Sequence, residues 1–261
     1  MPRLERATDG GAGPAEPMLS VADLHLHTTA SDGTLSPQAL VNELLIRQGR
    51  DEPRLRVVAV TDHDTIGGAL IAIDFLKTHH ADAPMEIIVG AEISSADGHI
   101  LALGVRGDVP KGLSAEETID AIHEQGGLAV AAHPFAWVPL MKGLRGIRRQ
   151  IRHPVVGMKL DAVEVRNANP TEALNNHFTR LVNRRGLRRP EVGGSDAHFV
   201  SAVGRAFTLF PGRTAADLLR AITDGTTCAG GGVYGPLAVW HYLRDRVAWR
   251  RFCEADPVHR M

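Results

Sequence analysis

The chain has 261 residues, 44% of them hydrophobic and 23% charged, with a formal net charge of −1. Those proportions suit a globular protein with a sizeable core, and near-neutrality excludes a surface given over to nucleic-acid backbone or anionic membrane, so any anion must be held locally. Cys228 and Cys253 lie outside any C-x-x-C pattern, which removes a disulfide framework and a thiolate zinc site, whereas thirteen histidines are many for this length.

Residues 1–20 mix charge with Gly and Pro and read as a flexible lead, without the apolar run of a signal peptide. No stretch reaches the ~18 consecutive apolar residues of a membrane helix, so a cytoplasmic protein without a membrane partner is expected. From Val21 short apolar, β-branched runs alternate with segments of helical period, the pattern of repeated βα units on a mostly parallel sheet. Strands are predicted at 21–26, 57–61, 86–91, 100–105, 128–132, 162–165, 191–193 and 206–210. Between them Ser36 caps a helix with Pro37 at its first position and a stripe of Leu40, Val41, Leu44 and Leu45. Ser114 and Glu117 form a capping box, Gly126–Gly127 ends that helix, and Thr214 caps a helix over 215–222. With no linker between two cores, residues 21–232 read as one closed or nearly closed α/β barrel. Residues 233–261, with Trp240, Tyr242 and Trp249, read as a C-terminal helical extension.

The chemistry gathers where the apolar runs stop. His25 and His27 flank Leu26, so under a period of two both side chains point to one face. An isolated H-x-H says little, because two hydrogen-bonded histidines could sit there equally well. Asp32 follows, the second run stops at Thr61-Asp62-His63-Asp64, the third at Glu92, the fifth at His133-Pro134 and the penultimate at Asp196-Ala197-His198. Taken singly, each could cap a helix or make a turn. Together they converge on the C-terminal face of a parallel barrel, where that architecture places its active sites.

These motifs, in this order over about residues 22 to 230, resemble the PHP family, named for its polymerase and histidinol phosphatase members. The resemblance is greatest to small stand-alone phosphoesterases, and it implies a distorted (β/α)7 barrel, TIM-like and single-domain, holding two or three divalent metals. By that resemblance His25, His27, Glu92 and Asp196 would hold one ion, Glu92 would bridge to a second at His133, and Asp32, His63 and His198 would hold a third. His99 is similar to the family's further histidine on the second ion, although it follows Glu92 by only seven residues. Asp62 and Asp64 are expected behind the ligands, one orienting His63 and the other capping the next helix.

Imidazole and carboxylate donors without thiolate suit manganese, iron or zinc. Three such ions against Asp32, Glu92 and Asp196 would leave the pocket at about +3, which favours a dianionic phosphate. The metals would generate the attacking hydroxide from water, so no side-chain nucleophile is expected, and neither G-x-S-x-G nor a Walker loop occurs. Arg205, Arg166 and Asn167 are candidates for contact with substrate, as are Arg148 and Arg149 in the basic stretch 142–152, which could equally be a solvated helix face. The expected partner is a small phosphorylated molecule. Phosphate monoesters of nucleotides or metabolites come first, with histidinol-phosphatase-like and short-oligonucleotide exonuclease activities as alternatives. Long duplex nucleic acid is not expected. A regulatory module that binds metal without turnover is the reading from a different class.

Overall fold

The computed structural model describes residues 18–48, 55–135 and 159–235. Most of the lead, the basic stretch with Arg148 and Arg149, and nearly all of the C-terminal extension lie outside the described residues. The strands are β1 (Leu19–Leu26), β2 (Leu55–Val60), β3 (Glu86–Ser95), β4 (Gly98–Leu103), β5 (Leu128–Ala131), β6 (Ala162–Asn167), β7 (Glu191–Gly194), β8 (Ala206–Pro211) and β9 (Cys228–Gly231). The α-helices are α1 (Pro37–Gln48), α2 (Gly67–His79), α3 (Ala115–Glu124), α4 (Ala173–Val182) and α5 (Ala215–Thr223).

Among the described residues all strands belong to one sheet, in the order β7-β6-β5-β4-β3-β2-β1-β8-β9. The sheet curls until its ends meet. Beyond β7, Ala197 bridges Leu26, with His27 N donating to Ala197 O at 3.0 Å and Ala197 N to His25 O at 3.2 Å. At the opposite end, Thr227 Oγ1 donates to Glu191 O at 2.9 Å. A nearly closed barrel in a mixed α/β fold results, as expected.

Each of the eight strand segments read from the sequence is a strand, but 100–105 does not belong to a βα unit. It is the return arm of a hairpin, with β4 antiparallel to both β3 and β5. Gly98 permits the turn because its φ is +134°, a region that L side chains avoid. β8 also runs antiparallel to β1, and β1 begins at Leu19, two residues inside the segment read as lead.

The interior is a layer of Ala22, Leu24, Val57, Ala59, Leu101, Val130, Ala162, Val192 and Phe210, plugged by Leu218 and Ile222 of α5. Leu26, two residues after Leu24, belongs instead to the outer layer under Leu40, Val41 and Leu44 of α1. A bulge in β1 explains the change of face: Asp23 pairs with Val58 and Leu26 with Val60, so one extra residue is inserted. Helix starts follow the predicted chemistry. Ser36 Oγ accepts from Ala39 N at 3.1 Å, and both Ser114–Glu117 and Thr214–Asp217 form complete capping boxes.

α2 lacks a side-chain cap; Asp108 Oδ1 accepts from Ile66 N at 2.8 Å instead. Its first turn carries Gly68, packed so closely that an added Cβ would strike the Asp62 carboxylate and lie 2.7 Å from Thr28 Oγ1. Gly→Ala within a helix ordinarily stabilises by up to ~1 kcal/mol. Here the sign should reverse, and Gly68→Ala is expected to lose about 1–3 kcal/mol in urea denaturation. A variant as stable as the parent would show that α2 can shift away from Asp62.

Candidate metal centre

Glu92 lies inside β3 with 1% of its surface exposed, and its carboxylate faces five imidazoles. Oε2 stands 3.2 Å from His25 Nε2, 3.3 Å from His27 Nε2 and 3.4 Å from His63 Nδ1. Oε1 stands 2.8 Å from His99 Nδ1 and 2.9 Å from His133 Nε2. The two oxygens therefore look into different sets of nitrogen donors. The β3–β4 hairpin brings His99 in: Ser94 pairs with His99 and Glu92 with Leu101, so His99 is the diagonal neighbour of Glu92. The short spacing that made His99 the odd member of the set is the length of a tight hairpin.

Asp196 Oδ1 lies 3.5 Å from His25 Nε2, 3.3 Å from His27 Nε2 and 3.6 Å from His198 Nδ1. Asp32 stands further out, 3.2 Å from His198 Nε2, 3.8 Å from His63 Nε2 and 3.6 Å from His27 Nδ1. Three groups of donors result: His25, His27, Glu92 and Asp196; His27, Asp32, His63 and His198; and His63, Glu92 and His99. The first is buried throughout, and the second opens towards solvent at Asp32.

These residues suit a divalent cation on two grounds. Donors about 2.0–2.3 Å from one ion stand roughly 3–3.7 Å from one another, the range of most of these separations. In addition, both ring nitrogens of His27 and Nδ1 of His63 are buried with no hydrogen-bond partner, and a neutral imidazole so placed has a lone pair left for a ligand. The backbone is strained at two of the donors, with φ of +26° at His133 and +52° at Asp196. Left-handed non-glycine residues cost of order 1–3 kcal/mol each and persist where surrounding contacts over-determine them.

The supporting residues are mostly backbone anchors. Asp62 accepts from Thr28 N, Thr28 Oγ1 and Ser31 Oγ, each at 2.7 Å, and so pins the loop that carries Asp32. Asp64, at φ +57°, accepts from Ser94 N at 2.7 Å and ties down the hairpin. The hydrogen bonds of these two aspartates therefore go to neighbouring loops, not to the His63 ring or the start of α2. Asn167 is fully buried behind the donors, with Nδ2 3.2 Å from Asp196 Oδ2. Arg166 is half-buried, and its guanidinium makes no hydrogen bond or ion pair to another described residue. Arg205 is exposed and donates from Nε to Ser201 O at 3.2 Å.

Two carboxylates buried within strands went unrecognised in the sequence. Glu164 of β6 lies 3.0 Å from His25 Nδ1. Asp23 accepts from Ser195 N at 2.8 Å and Gly204 N at 2.9 Å, closing β1 onto the segment after β7. Burial pushes Asp23 up to about 6 against those hydrogen bonds. The available signal was an acid inside an otherwise apolar strand, in V-A-D-L-H and A-V-E-V-R.

A family model described as PHP-associated matches residues 175–227. Protein MJ1587 of Methanocaldococcus jannaschii is 37% identical over 162 residues, 60% of this chain and 87% of that one. A two-domain protein from Bacteroides vulgatus, described as containing a predicted PHP-like metal-dependent phosphoesterase, superposes with a TM-score of 0.61 at 18% identity, covering 82% of this chain and 65% of that one. The chain belongs to the PHP family. Within this PHP fold, PsfC from Pseudomonas syringae superposes with a TM-score of 0.60 at 19% identity, over 90% of this chain and 99% of that one. The 5'-3' exoribonuclease Rnm of Escherichia coli is 38% identical over 89 residues, 33% of this chain but 28% of that protein.

Without a cation the carboxylates draw protons onto the imidazoles. Burial opposes charge on His27 and His133, but Asp196 and Glu92 outweigh it at His27, and Glu92 does so at His133, raising each to about 9 from the ordinary 6.5. Asp32, opposed by its own partial burial, is lowered to about 2 by His198. A raised histidine contributes stability that is complete below about 6.5 and lost as pH climbs through about 9. The thermal midpoint of the metal-free protein should therefore fall across that window. Cation loading near neutral pH should displace these protons and flatten the fall. Calorimetry in two buffers of different ionisation enthalpy would detect the release, and loading without proton release would mean that these imidazoles are not the ligands.

Proposed function

We propose that this PHP protein is a metal-dependent phosphoesterase that hydrolyses phosphate monoesters of nucleotides or small metabolites. The observation that carries the reading is Glu92, one buried carboxylate whose two oxygens face separate sets of imidazole nitrogens, the disposition of a bridge between two cations. Divalent ions held there would polarise phosphoryl oxygens and bring the pKa of water towards ~7.

His25, His27, Glu92 and Asp196 would hold the innermost ion; His99 and His133 would complete a second with Glu92; Asp32, His63 and His198 would hold a third. Manganese, iron and zinc all accept this donor set. Glu164 adds a fourth carboxylate to Asp32, Glu92 and Asp196, so three ions would leave the pocket at about +2, still attractive to a phosphate dianion. The protein's part is to keep donors oriented and the inner ions dry, so that the field at the phosphate is not diluted by solvent. Among the described residues no helix is long and apolar enough to cross a membrane.

A second reading, hydrolysis of short oligonucleotides from one end, is favoured by the 89-residue similarity to Rnm. The two separate in one experiment: with manganese added, released phosphate is measured on phosphorylated metabolites and chain shortening on short oligonucleotides. Phosphate release without shortening supports the first, shortening supports the second, and neither with a full complement of metal would favour a binding module. Glu92→Ala should lose more activity and more metal than any other single-ligand variant. Residues that merely orient ligands are worth 10–100-fold, so a bridging ligand should exceed about a hundredfold. Unchanged metal content and rate in that variant would remove the bridge.

A further inference from the structure

We propose that Glu164 is a positioning residue for this centre, fixing His25 in the tautomer whose Nε2 lone pair faces the inner donors while holding His133 and Asp196 in place. The inference rests on the metal reading above and adds to it a residue that touches no cation itself.

Glu164 is 1% exposed and touches two of the donor residues, His25 and His133, directly and a third, Asp196, through the amide of Asn167. Its Oε1 lies 3.0 Å from His25 Nδ1, and its Oε2 accepts from the backbone N of His133 at 2.8 Å. Oε2 also accepts from Asn167 Nδ2 at 3.1 Å, and the same amide nitrogen donates to Asp196 Oδ2 at 3.2 Å. The orientation of that amide is fixed independently, because Asn167 Oδ1 accepts from Asn169 N at 2.9 Å. Gly194 closes the space beside the pair: a Cβ there would stand 2.5 Å from His25 Cβ and 3.0 Å from Glu164 Oε1.

A neutral imidazole has one N–H and one lone pair. Two acceptors compete for the N–H of His25: Glu164 at Nδ1, and the Glu92–Asp196 pair at Nε2, 3.2 and 3.5 Å away. Coordination at Nε2 needs the lone pair there, so the N–H must sit on Nδ1, where Glu164 accepts it. The same carboxylate supplies the partner for the strained backbone at His133, whose φ is +26°.

Glu164→Gln makes the argument testable because it keeps shape and removes one acceptor. Three donors converge on the wild-type carboxylate: His25 Nδ1–H, His133 N–H and Asn167 Nδ2–H. A glutamine that turns its oxygen to His133 and Asn167 preserves two hydrogen bonds and presents its NH2 to His25 Nδ1. His25 must then accept at Nδ1 and carry its hydrogen on Nε2, where the cation belongs. The opposite flip sets two donor–donor contacts and is worse.

The experiment uses the full chain loaded with zinc. Wild type should show His25 bound through Nε2 with its hydrogen on Nδ1 in imidazole 15N spectra, assigned against His25→Gln. Glu164→Gln should still unfold in one cooperative thermal transition without metal, yet bind its tightest zinc 10–100-fold more weakly in chelator competition. Equal affinity in the two proteins would overturn the proposal and leave the metal reading standing. So would a wild-type spectrum with Nδ1 bound to zinc, a result that needs no variant to fold. A wild-type chain that binds no zinc, manganese or iron would overturn both.

Discussion

A carboxylate removed from water must find compensating charge or donors, because an isolated buried ion is far too costly to keep. Glu92 is in that position, and the surroundings of the barrel mouth can be understood as the answer to it. His25 and His99, with the hydrogen bond from His133, hold its carboxyl well below the ordinary carboxylate range although burial alone would raise it. The same requirement makes the imidazoles dependent on Glu92. Remove it and five rings lose the group around which they are arranged, with Asp196, 3.3 Å away, the carboxylate left at His27 Nε2.

Bringing so many donors to one carboxylate demands departures from regular structure. The bulge in β1 shifts the register so that Leu24 lies in the interior layer while Leu26 lies under α1, leaving His25 and His27 among the donors. The β3–β4 hairpin returns the chain to deliver His99 a few residues after Glu92. His133 and Asp196 reach their places only through left-handed backbone. Buried and half-buried acids hold these irregularities: Glu164 on the amide of His133, Asp62 on the Thr28–Ser31 turn, Asp64 on the hairpin and Asp23 on the seam between β1 and the segment after β7. A regular barrel with ideal strands would hold its shape more cheaply and could not focus these side chains.

That division explains what was legible in the sequence. Strand positions and helix caps are local features, written in apolar runs and in Ser–Glu or Thr–Asp spacings, and they could be read directly. Donors at strand ends were visible because an apolar run that stops at His or Asp is a contrast within a few residues. The direction of 100–105 was not visible, since an apolar run has no arrow and a buried parallel strand reads like a buried antiparallel one. β9, with the sequence C-A-G-G, has neither alternation nor branched side chains, and it is a strand because β8 offers it an edge. Glu164 and Asp23 were hidden for another reason. They lie within strands, where a lone acid reads as solvent-facing until the curvature of the sheet shows it pointing at a histidine or a backbone amide.

The donors also differ systematically in their access to water. His25 and His27 have fully buried side chains and Glu92 is 1% exposed, whereas Asp32 is 45%, His99 37% and His63 28% exposed. On the proposed reading, an anionic substrate too large to enter the closed inner group would meet the centre from the side of Asp32, His63 and His99. On that side electrostatic attraction is weakened most by solvent, so strength has to come from what lies deeper. The inner carboxylates and imidazoles, packed against Gly194 and Glu164, form a low-dielectric floor in which charge is screened little. The outer donors lie open to water, so an ion held there could exchange water for substrate oxygens. Burial on one side and access on the other are opposing demands, and Glu92, with one oxygen facing each way, is where they meet.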